Sequence, residues 1–222
     1  MVTVALDIFP EHTYKWIDAA NPTHPSVIDT RHVTGQLFGF QNIPMAVWID
    51  EEGRLVRPAE GASITPNQLR GREIPEGLPE RISKAMHEVR DMPDTGEAYR
   101  AAIVDWAHRG AASPYALSPD EVVARSQPRG VDEARAAACF ALGEHLRRTV
   151  GPDAAVPWWR EAHRLFPSNW TYKRQAWTLV TTPEGAEDND LMQGPNEVYE
   201  GNWLDDVIAG GGGAAYTVVP DL

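Results

Sequence analysis

The first fifty residues alternate between short apolar runs and polar stretches. Apolar, partly β-branched residues predict a strand over Met1–Asp7, which is closed by its acidic end and by the proline at position 10. Proline and glutamate in a first turn then predict a helix over Pro10–Ala20. A second strand is predicted at Val27–Asp29 and a short helix at Val33–Phe38.

A hairpin is predicted after this alternation. The apolar run Met45–Asp50 follows Pro44 directly, and the turn Glu51–Gly53 leads into a second run at Arg54–Arg57. Two apolar runs separated by three or four residues that include glycine are typical of a β-hairpin.

The middle of the chain carries helical patterns. Apolar residues share one face over Pro79–Arg90 and again over Glu97–Arg109, and Ser118 with Glu121 forms a capping box that starts another helix. The segment Pro58–Gly77 is rich in proline and glycine, which indicates an interdomain linker.

The N-terminal third resembles the second half of a thioredoxin-like redoxin domain. The likeness is to the alkyl-hydroperoxide-reductase/thiol-specific-antioxidant superfamily and to bacterial thiol-disulfide reductases. The residues that carry it are Val4-Ala5-Leu6-Asp7, His24-Pro25, Asp29, Leu37-Phe38-Gly39, Ile43-Pro44, Trp48-Ile49-Asp50 and Gly53-Arg54-Leu55-Val56-Arg57-Pro58. The resemblance implies that Pro44 is cis and that Ile43 and Pro44 border the site of a thiol or disulfide protein partner.

The chain departs from that family in its chemistry. The family's first core strand and the following helix, which bears the reactive cysteine, are missing. We therefore expect that Met1 is not the natural start, and that a segment with cysteine or selenocysteine precedes it. Cys139 is the sole cysteine and lies in an alanine-rich stretch without a nearby histidine or lysine, so a structural role is predicted for it.

One stretch resembles a single tetratricopeptide repeat. The matching residues are Leu142-Gly143, Leu146, Ala155, Trp159, Ala162 and Pro167, and a further helix is predicted from Ser168. Small residues at Gly143, Ala155 and Ala162 allow two helices to approach closely, and Trp159 fills the space beside them. The resemblance implies a surface for a peptide partner.

Charge is concentrated at the C-terminal end. The net charge is −12, and no lysine or arginine follows Arg174. The acidity argues against nucleic-acid binding, which needs a basic face. An acidic, partly disordered tail is predicted, with a short docking helix carrying Tyr199, Trp203 and Val207 as the alternative. No apolar run of about 18 residues predicts a membrane span, and a cytoplasmic location is the default.

Other candidate chemistry is weak. His12, His24 and His32 with Asp7 and Asp29 match no ligand spacing, so neither a metal nor a cofactor is predicted.

These observations predict an α/β plus all-α protein, namely an incomplete thioredoxin-like fold followed by a tetratricopeptide-like helical region. The predicted domains are 1–75, a helical domain at 78–181 and a tail at 182–222. The first predicted function is that of a redoxin-type oxidoreductase lineage, either disulfide reductase or peroxidase, with no catalytic residue in this chain. The alternative is a non-catalytic interaction module built on the helical repeat.

Overall fold

The computed structural model describes residues 1–179 and 196–222. This part of the chain is mixed α/β and mostly helical. Its contacts divide it into two compact units. Unit 1 comprises the described residues 1–41, 129–179 and 196–199, and unit 2 comprises residues 42–128 and 200–222.

The elements follow the order that the apolar pattern predicts. The strands are β1 (Thr3–Leu6), β2 (Ser26–Asp29), β3 (Met45–Ile49) and β4 (Leu55–Gly61). The helices are α1 (Glu11–Ala20), α2 (Val33–Phe38), α3 (Glu80–Asp91), α4 (Gly96–Arg109), α5 (Pro119–Arg125), α6 (Val131–Thr149), α7 (Pro152–Leu165), α8 (Trp170–Leu179) and α9 (Trp203–Ala209).

Unit 1 begins with a β–α–β element. Strands β1 and β2 pair in parallel from Thr3 opposite Ser26 to Leu6 opposite Asp29, and α1 makes the crossover. Helix α1 ends at Asn21, whose left-handed backbone closes it. The predicted strand–helix–strand order is therefore confirmed, with strand ends that differ by one or two residues.

After α2, unit 1 continues with a helical hairpin, α6 and α7, followed by α8. A Cβ built on Gly143 of α6 would lie 2.5 Å from the Trp159 indole nitrogen of α7, so only glycine allows this approach. Ala155 and Ala162 are fully buried in the same core. The close packing of small residues around Trp159, predicted from the sequence, is confirmed.

Residues 1–41 are joined to α6 and α8 within unit 1. The Gln175 side-chain oxygen accepts hydrogen bonds from Ile8 N (3.1 Å) and from His32 Nε2 (2.9 Å). The Arg147 guanidinium lies 4.9 Å from the centre of the Phe9 ring. These contacts explain why the β–α–β element groups with helices that follow it by more than a hundred residues.

Unit 2 is built around an antiparallel hairpin. Strand β3 pairs with β4 from Met45 opposite Gly61 to Ile49 opposite Leu55, with irregular register on both sides of Trp48. The Trp48 side chain packs against Tyr99 and Trp106 of α4. The strands β1–β2 and β3–β4 thus form two separate two-stranded sheets.

The compact units do not coincide with the predicted domains. The boundaries predicted near residues 75 and 181 come from composition, whereas the units follow long-range contacts. The predicted linker 58–77 is wrong at its start, because β4 continues to Gly61. Later in the same stretch, Asn67 Nδ2 donates to the Val89 carbonyl at the end of α3 (2.8 Å), so the stretch is part of unit 2.

The C-terminal region also contains regular structure. Helix α9 buries Trp203, Leu204 and Val207, so the short helix predicted as the alternative to disorder is confirmed at Trp203 and Val207 and does not include Tyr199. Tyr199 precedes this helix and belongs to unit 1. The predicted tail residues 182–195 lie outside the described residues. No helix in the described ranges is long and apolar enough to cross a bilayer.

Candidate functional site

The Ile43–Pro44 segment enters β3 in unit 2, and its backbone is held by neighbouring groups. Asn42 Oδ1 accepts a hydrogen bond from Ile43 N (2.8 Å), and Ala62 N donates to the Pro44 carbonyl (3.0 Å). The peptide bond between Ile43 and Pro44 is cis, the state that the redoxin resemblance implies.

A cleft of about 240 Å³ opens beside this segment, within unit 2. We call it the Ile43–Pro44 cleft. Its lining carries no charged side chain and comprises Ile43, Pro44, Gly61, Ala62, Ser63, Thr65, Pro66, Asn67, Val89, Met92, Pro93, Thr95, Tyr216, Thr217 and Val218. Such neutral walls suit an uncharged chain backbone with apolar side chains, and they offer no counter-charge to a phosphate.

One wall of the cleft is the protein's own C-terminal segment. Asn42 Nδ2 donates a hydrogen bond to the Tyr216 carbonyl oxygen (2.9 Å), while its Oδ1 holds Ile43 N. The buried Asn42 amide therefore connects the Ile43–Pro44 segment to a second stretch of backbone through both of its polar ends.

A buried polar network lies in the hairpin of the same unit. Arg57, only 1% exposed, makes a bidentate ion pair with Glu60, with three N–O distances of 2.8, 3.1 and 2.8 Å. Trp48 Nε1 donates to the Tyr99 hydroxyl (2.9 Å). Burial, together with the nearby Glu60 carboxylate, raises the pKa of Tyr99 far above its usual value. The hydroxyl therefore stays protonated and serves the network as a structural donor and acceptor.

The network also extends to Tyr115 and Asp221 through Arg57. Arg57 Nη1 donates to the Tyr115 carbonyl (3.0 Å), and its Nη2 donates to the Asp221 carbonyl (2.6 Å). Sequence reasoning gave Arg57 no role beyond the redoxin resemblance. An arginine and a glutamate three residues apart inside one apolar strand were the signal available to find this pair.

The histidines and carboxylates considered as metal ligands have other partners. Asp29 accepts hydrogen bonds from the Thr34 amide and hydroxyl, both at 2.7 Å. Partial burial opposes ionisation of Asp29, yet hydrogen bonds from Thr34 and neighbouring amides outweigh burial and lower its pKa. His24 lies 3.3 Å from the Thr3 hydroxyl, and His12 lies 3.6 Å from Asp7. In the two described ranges, no three such side chains form a group that could hold a metal ion.

His32 is the most unusual of these side chains. It is almost fully buried, and its backbone takes the left-handed conformation with φ of 54°. Gln175 Oε1 can only accept, so the 2.9 Å contact places a proton on His32 Nε2. Burial lowers the pKa of His32, although Gln175, Asp29 and Asp7 oppose that change. The neutral ring therefore fastens the start of α2 to α8.

Cys139 lies partly buried on α6, against the core of the helical hairpin. Burial, and secondarily the Glu161 carboxylate, raises the pKa of its thiol. A raised pKa reduces the thiolate fraction at neutral pH, which is the opposite of what a redox nucleophile needs. Cys139 belongs to unit 1, and the residues that line the cleft belong to unit 2.

Glu144, also on α6, is a buried carboxylate whose loss of hydration is only partly offset by hydrogen bonds and nearby arginines. Its side chain is 2% exposed, its Oε2 lies 3.4 Å from Arg148 Nη1, and its Oε1 has no hydrogen-bond partner among the described residues. Burial outweighs the attraction of Arg147 and Arg148 and raises the pKa of Glu144 from 4.5 to about 6. The charged form is therefore disfavoured in the folded state.

Glu144→Gln is expected to stabilise the protein at neutral pH. Because the folded-state pKa is raised, the wild type loses stability as pH rises from the unfolded value of 4.5 through about 6. At 1.36 kcal/mol per pKa unit, the gain at pH 7 is about 2 kcal/mol at most. Denaturant unfolding from pH 4.5 to 8 measures it. Glu161→Gln is the control: Arg164 lowers the pKa of Glu161, so that variant gains nothing. An equal difference between Glu144→Gln and wild type at every pH would contradict the prediction.

Comparison with protein-family models, with curated proteins and with solved structures finds no match.

Proposed function

We propose that this chain is the partner-binding part of a redoxin-type thiol oxidoreductase, and that the Ile43–Pro44 cleft receives an extended segment of a thiol or disulfide protein partner. The order of elements supports the lineage: a parallel β1–α1–β2 element, then α2, then a hairpin whose first strand begins directly after Pro44. The redox step itself is not assigned to this chain, whose sole thiol is the partly buried Cys139.

The observation that carries the proposal is the chemistry of the cleft wall. Directly beside the lining, the buried Asn42 amide donates to one backbone carbonyl of the wall, that of Tyr216. Gly61, in β4, has a backbone atom of Val218 so close that no Cβ would fit. A lining without charged side chains, next to the Asn42 amide and to Gly61, suits the backbone of an extended chain. It offers no specific contact to a charged group.

A peptide titration on the isotope-labelled protein tests this function. The probe is a ten-residue peptide with a central S-methylcysteine, which mimics a bonded sulfur without reacting with Cys139. We expect it to shift the amide resonances of Ile43, Gly61 and Ala62. Pro44→Ala is expected to weaken binding about tenfold, which corresponds to about 1.4 kcal/mol, because Pro44 shapes the cleft by geometry and donates no hydrogen bond.

Two controls make the titration specific. Pro79→Ala changes a proline of the same unit that precedes α3 and does not line the cleft, so it should bind like the wild type. The same peptide with alanine in place of S-methylcysteine should bind more weakly. Unchanged cleft resonances at millimolar peptide, or equal binding by Pro44→Ala, would refute the proposed site.

The second candidate function is a non-catalytic interaction module on the helical hairpin. It is favoured by Trp158 of α7, which is 40% exposed beside the buried Trp159. Exposed tryptophans are common anchors of protein interfaces. The same titration separates the two functions, because a peptide bound by the hairpin would shift resonances of α7 and leave Ile43 unchanged.

A further inference from the structure

The last part of unit 2 is a segment, Gly213–Asp221, that we call the strap. Its first residue is fixed to α3: Gly213 N donates to Glu88 Oε2 (2.6 Å), and a Cβ on Gly213 would lie 1.8 Å from the Glu88 carbonyl oxygen. Its last residue is fixed by arginines, since Arg57 donates to the Asp221 carbonyl and Arg125 pairs with its carboxylate (2.9 Å).

Between these two anchors the strap lies along the Ile43–Pro44 cleft. The Tyr216 carbonyl accepts from Asn42 Nδ2 (2.9 Å), and the Val218 carbonyl oxygen would lie 2.1 Å from a Cβ on Gly61. Val218 and Val219 remain 59% and 52% exposed. The strap therefore meets Asn42 and Gly61 through its backbone. One side chain in its middle is also held, because the Tyr216 ring packs edge-on against Trp203 of α9 and its hydroxyl accepts from Trp203 Nε1 (3.3 Å).

We infer that the strap covers the Asn42 and Gly61 side of the Ile43–Pro44 cleft, and that an extended peptide which takes over those two contacts must displace residues 216–218. The inference deepens the proposed function and rests on it for the identity of the partner. Backbone contacts can be made by any extended peptide, so the ligand class is a segment with a carbonyl placed for Asn42 and a backbone that packs on Gly61.

Occupation by a tethered segment lowers the apparent affinity for a free one. A short tether gives an effective concentration in the millimolar range. If the strap binds with a dissociation constant of about 0.1 mM, about one molecule in ten has an open cleft, and binding of a free peptide is weakened about tenfold.

A substitution at the root of the strap tests this inference in the full chain. Gly213→Val places bulk against the Glu88 backbone and should lift the strap while leaving Asn42 and Gly61 unchanged. Ala214→Val adds bulk at the next position, which is exposed, and is the matched control. The probe is a fluorescein-labelled peptide that comprises the strap and the following Leu222, Gly-Ala-Ala-Tyr-Thr-Val-Val-Pro-Asp-Leu. We expect Gly213→Val to bind it about tenfold more tightly than wild type and Ala214→Val.

A second measurement uses only the wild-type chain. At saturating strap peptide, hydrogen exchange of residues 214–219 should accelerate, while exchange in β4 stays unchanged. This readout decides the question if Gly213→Val does not fold. Equal affinity of the probe for all three proteins, or unchanged exchange of the strap at saturation, would overturn the inference.

The S-methylcysteine peptide distinguishes this inference from the proposed function. Equal binding of that peptide by wild type and Gly213→Val would leave the partner site standing and refute the displacement of the strap. Tight binding of the strap peptide by Gly213→Val, without any binding of the S-methylcysteine peptide, would support the displacement of the strap and refute the thiol-partner function.

Discussion

Arg57→Ala is expected to lower the free energy of unfolding of unit 2 by about 3–5 kcal/mol, the loss found when one partner of a buried ion pair is removed. Glu60 would be left as a buried carboxylate without its bidentate partner. The carbonyls of Tyr115 and Asp221 would each lose a charged donor as well. The Trp48 ring, whose centre lies 5.3 Å from the guanidinium carbon, would lose a packed face.

Hydrogen exchange of residues 45–61 measures this loss locally, which matters in a chain with two compact units. Arg54→Ala is the matched control, since Arg54 is an exposed arginine on the same hairpin, and it should change stability by about 0.5 kcal/mol or less. The double variant Arg57→Met with Glu60→Met removes both charges and should recover most of the loss. A loss below about 1 kcal/mol for Arg57→Ala would contradict the role given to the network.

Local patterns predicted the elements well because their causes are local. The serine and glutamate at 118 and 121 form the capping box seen at the start of α5, with the Glu121 amide 3.3 Å from the Ser118 hydroxyl. The small residue at Gly143 and the large one at Trp159 meet as their spacing predicted. In each of these cases, the determining contacts lie within one helix or one helical hairpin.

The composition of the two units could not be predicted, because it depends on contacts between distant residues. Gln175 binds Ile8 and His32 across more than 140 positions, and no periodic pattern marks such a pair. The tail at 182–222 was predicted to be partly disordered, whereas Gly213 within it is buried against Glu88 because it lacks a side chain. Glycine is used both for mobility and for close approach, and composition does not separate the two.

The candidate site was predicted only in part. The redoxin resemblance predicts Ile43 and Pro44, whereas no sequence pattern marks Asn42, because asparagine is common in turns. Its hydrogen bond to the Tyr216 carbonyl joins residues 174 positions apart, so the connecting role of Asn42 follows only from the folded structure. Arg57 also connects the β3–β4 hairpin to the strap, because it binds Glu60 of β4 and the Asp221 carbonyl at the last residue of the strap.

Gly143→Val is expected to destabilise unit 1 by about 2–3 kcal/mol, near the upper end of the range for overpacked cores. The new side chain would begin 2.5 Å from the Trp159 indole nitrogen and 2.6 Å from Cδ1 of the same ring. Trp159 is 2% exposed and packed among Phe140, Ala155 and Ala162, so the indole has no free space to enter. The helix propensity of valine exceeds that of glycine by only a few tenths of a kcal/mol, which does not offset the clash.

Hydrogen exchange of α6 and α7, together with denaturant unfolding, measures the effect. Ala141→Val, at an exposed position of the same helix, reports the cost of a β-branched residue alone and should stay within about 0.7 kcal/mol. Trp159→Leu combined with Gly143→Val should be more stable than Gly143→Val alone, because a smaller partner makes room for the added side chain. Full wild-type stability of Gly143→Val would show that the two helices can separate without loss, and would refute the close approach as the determinant of this hairpin.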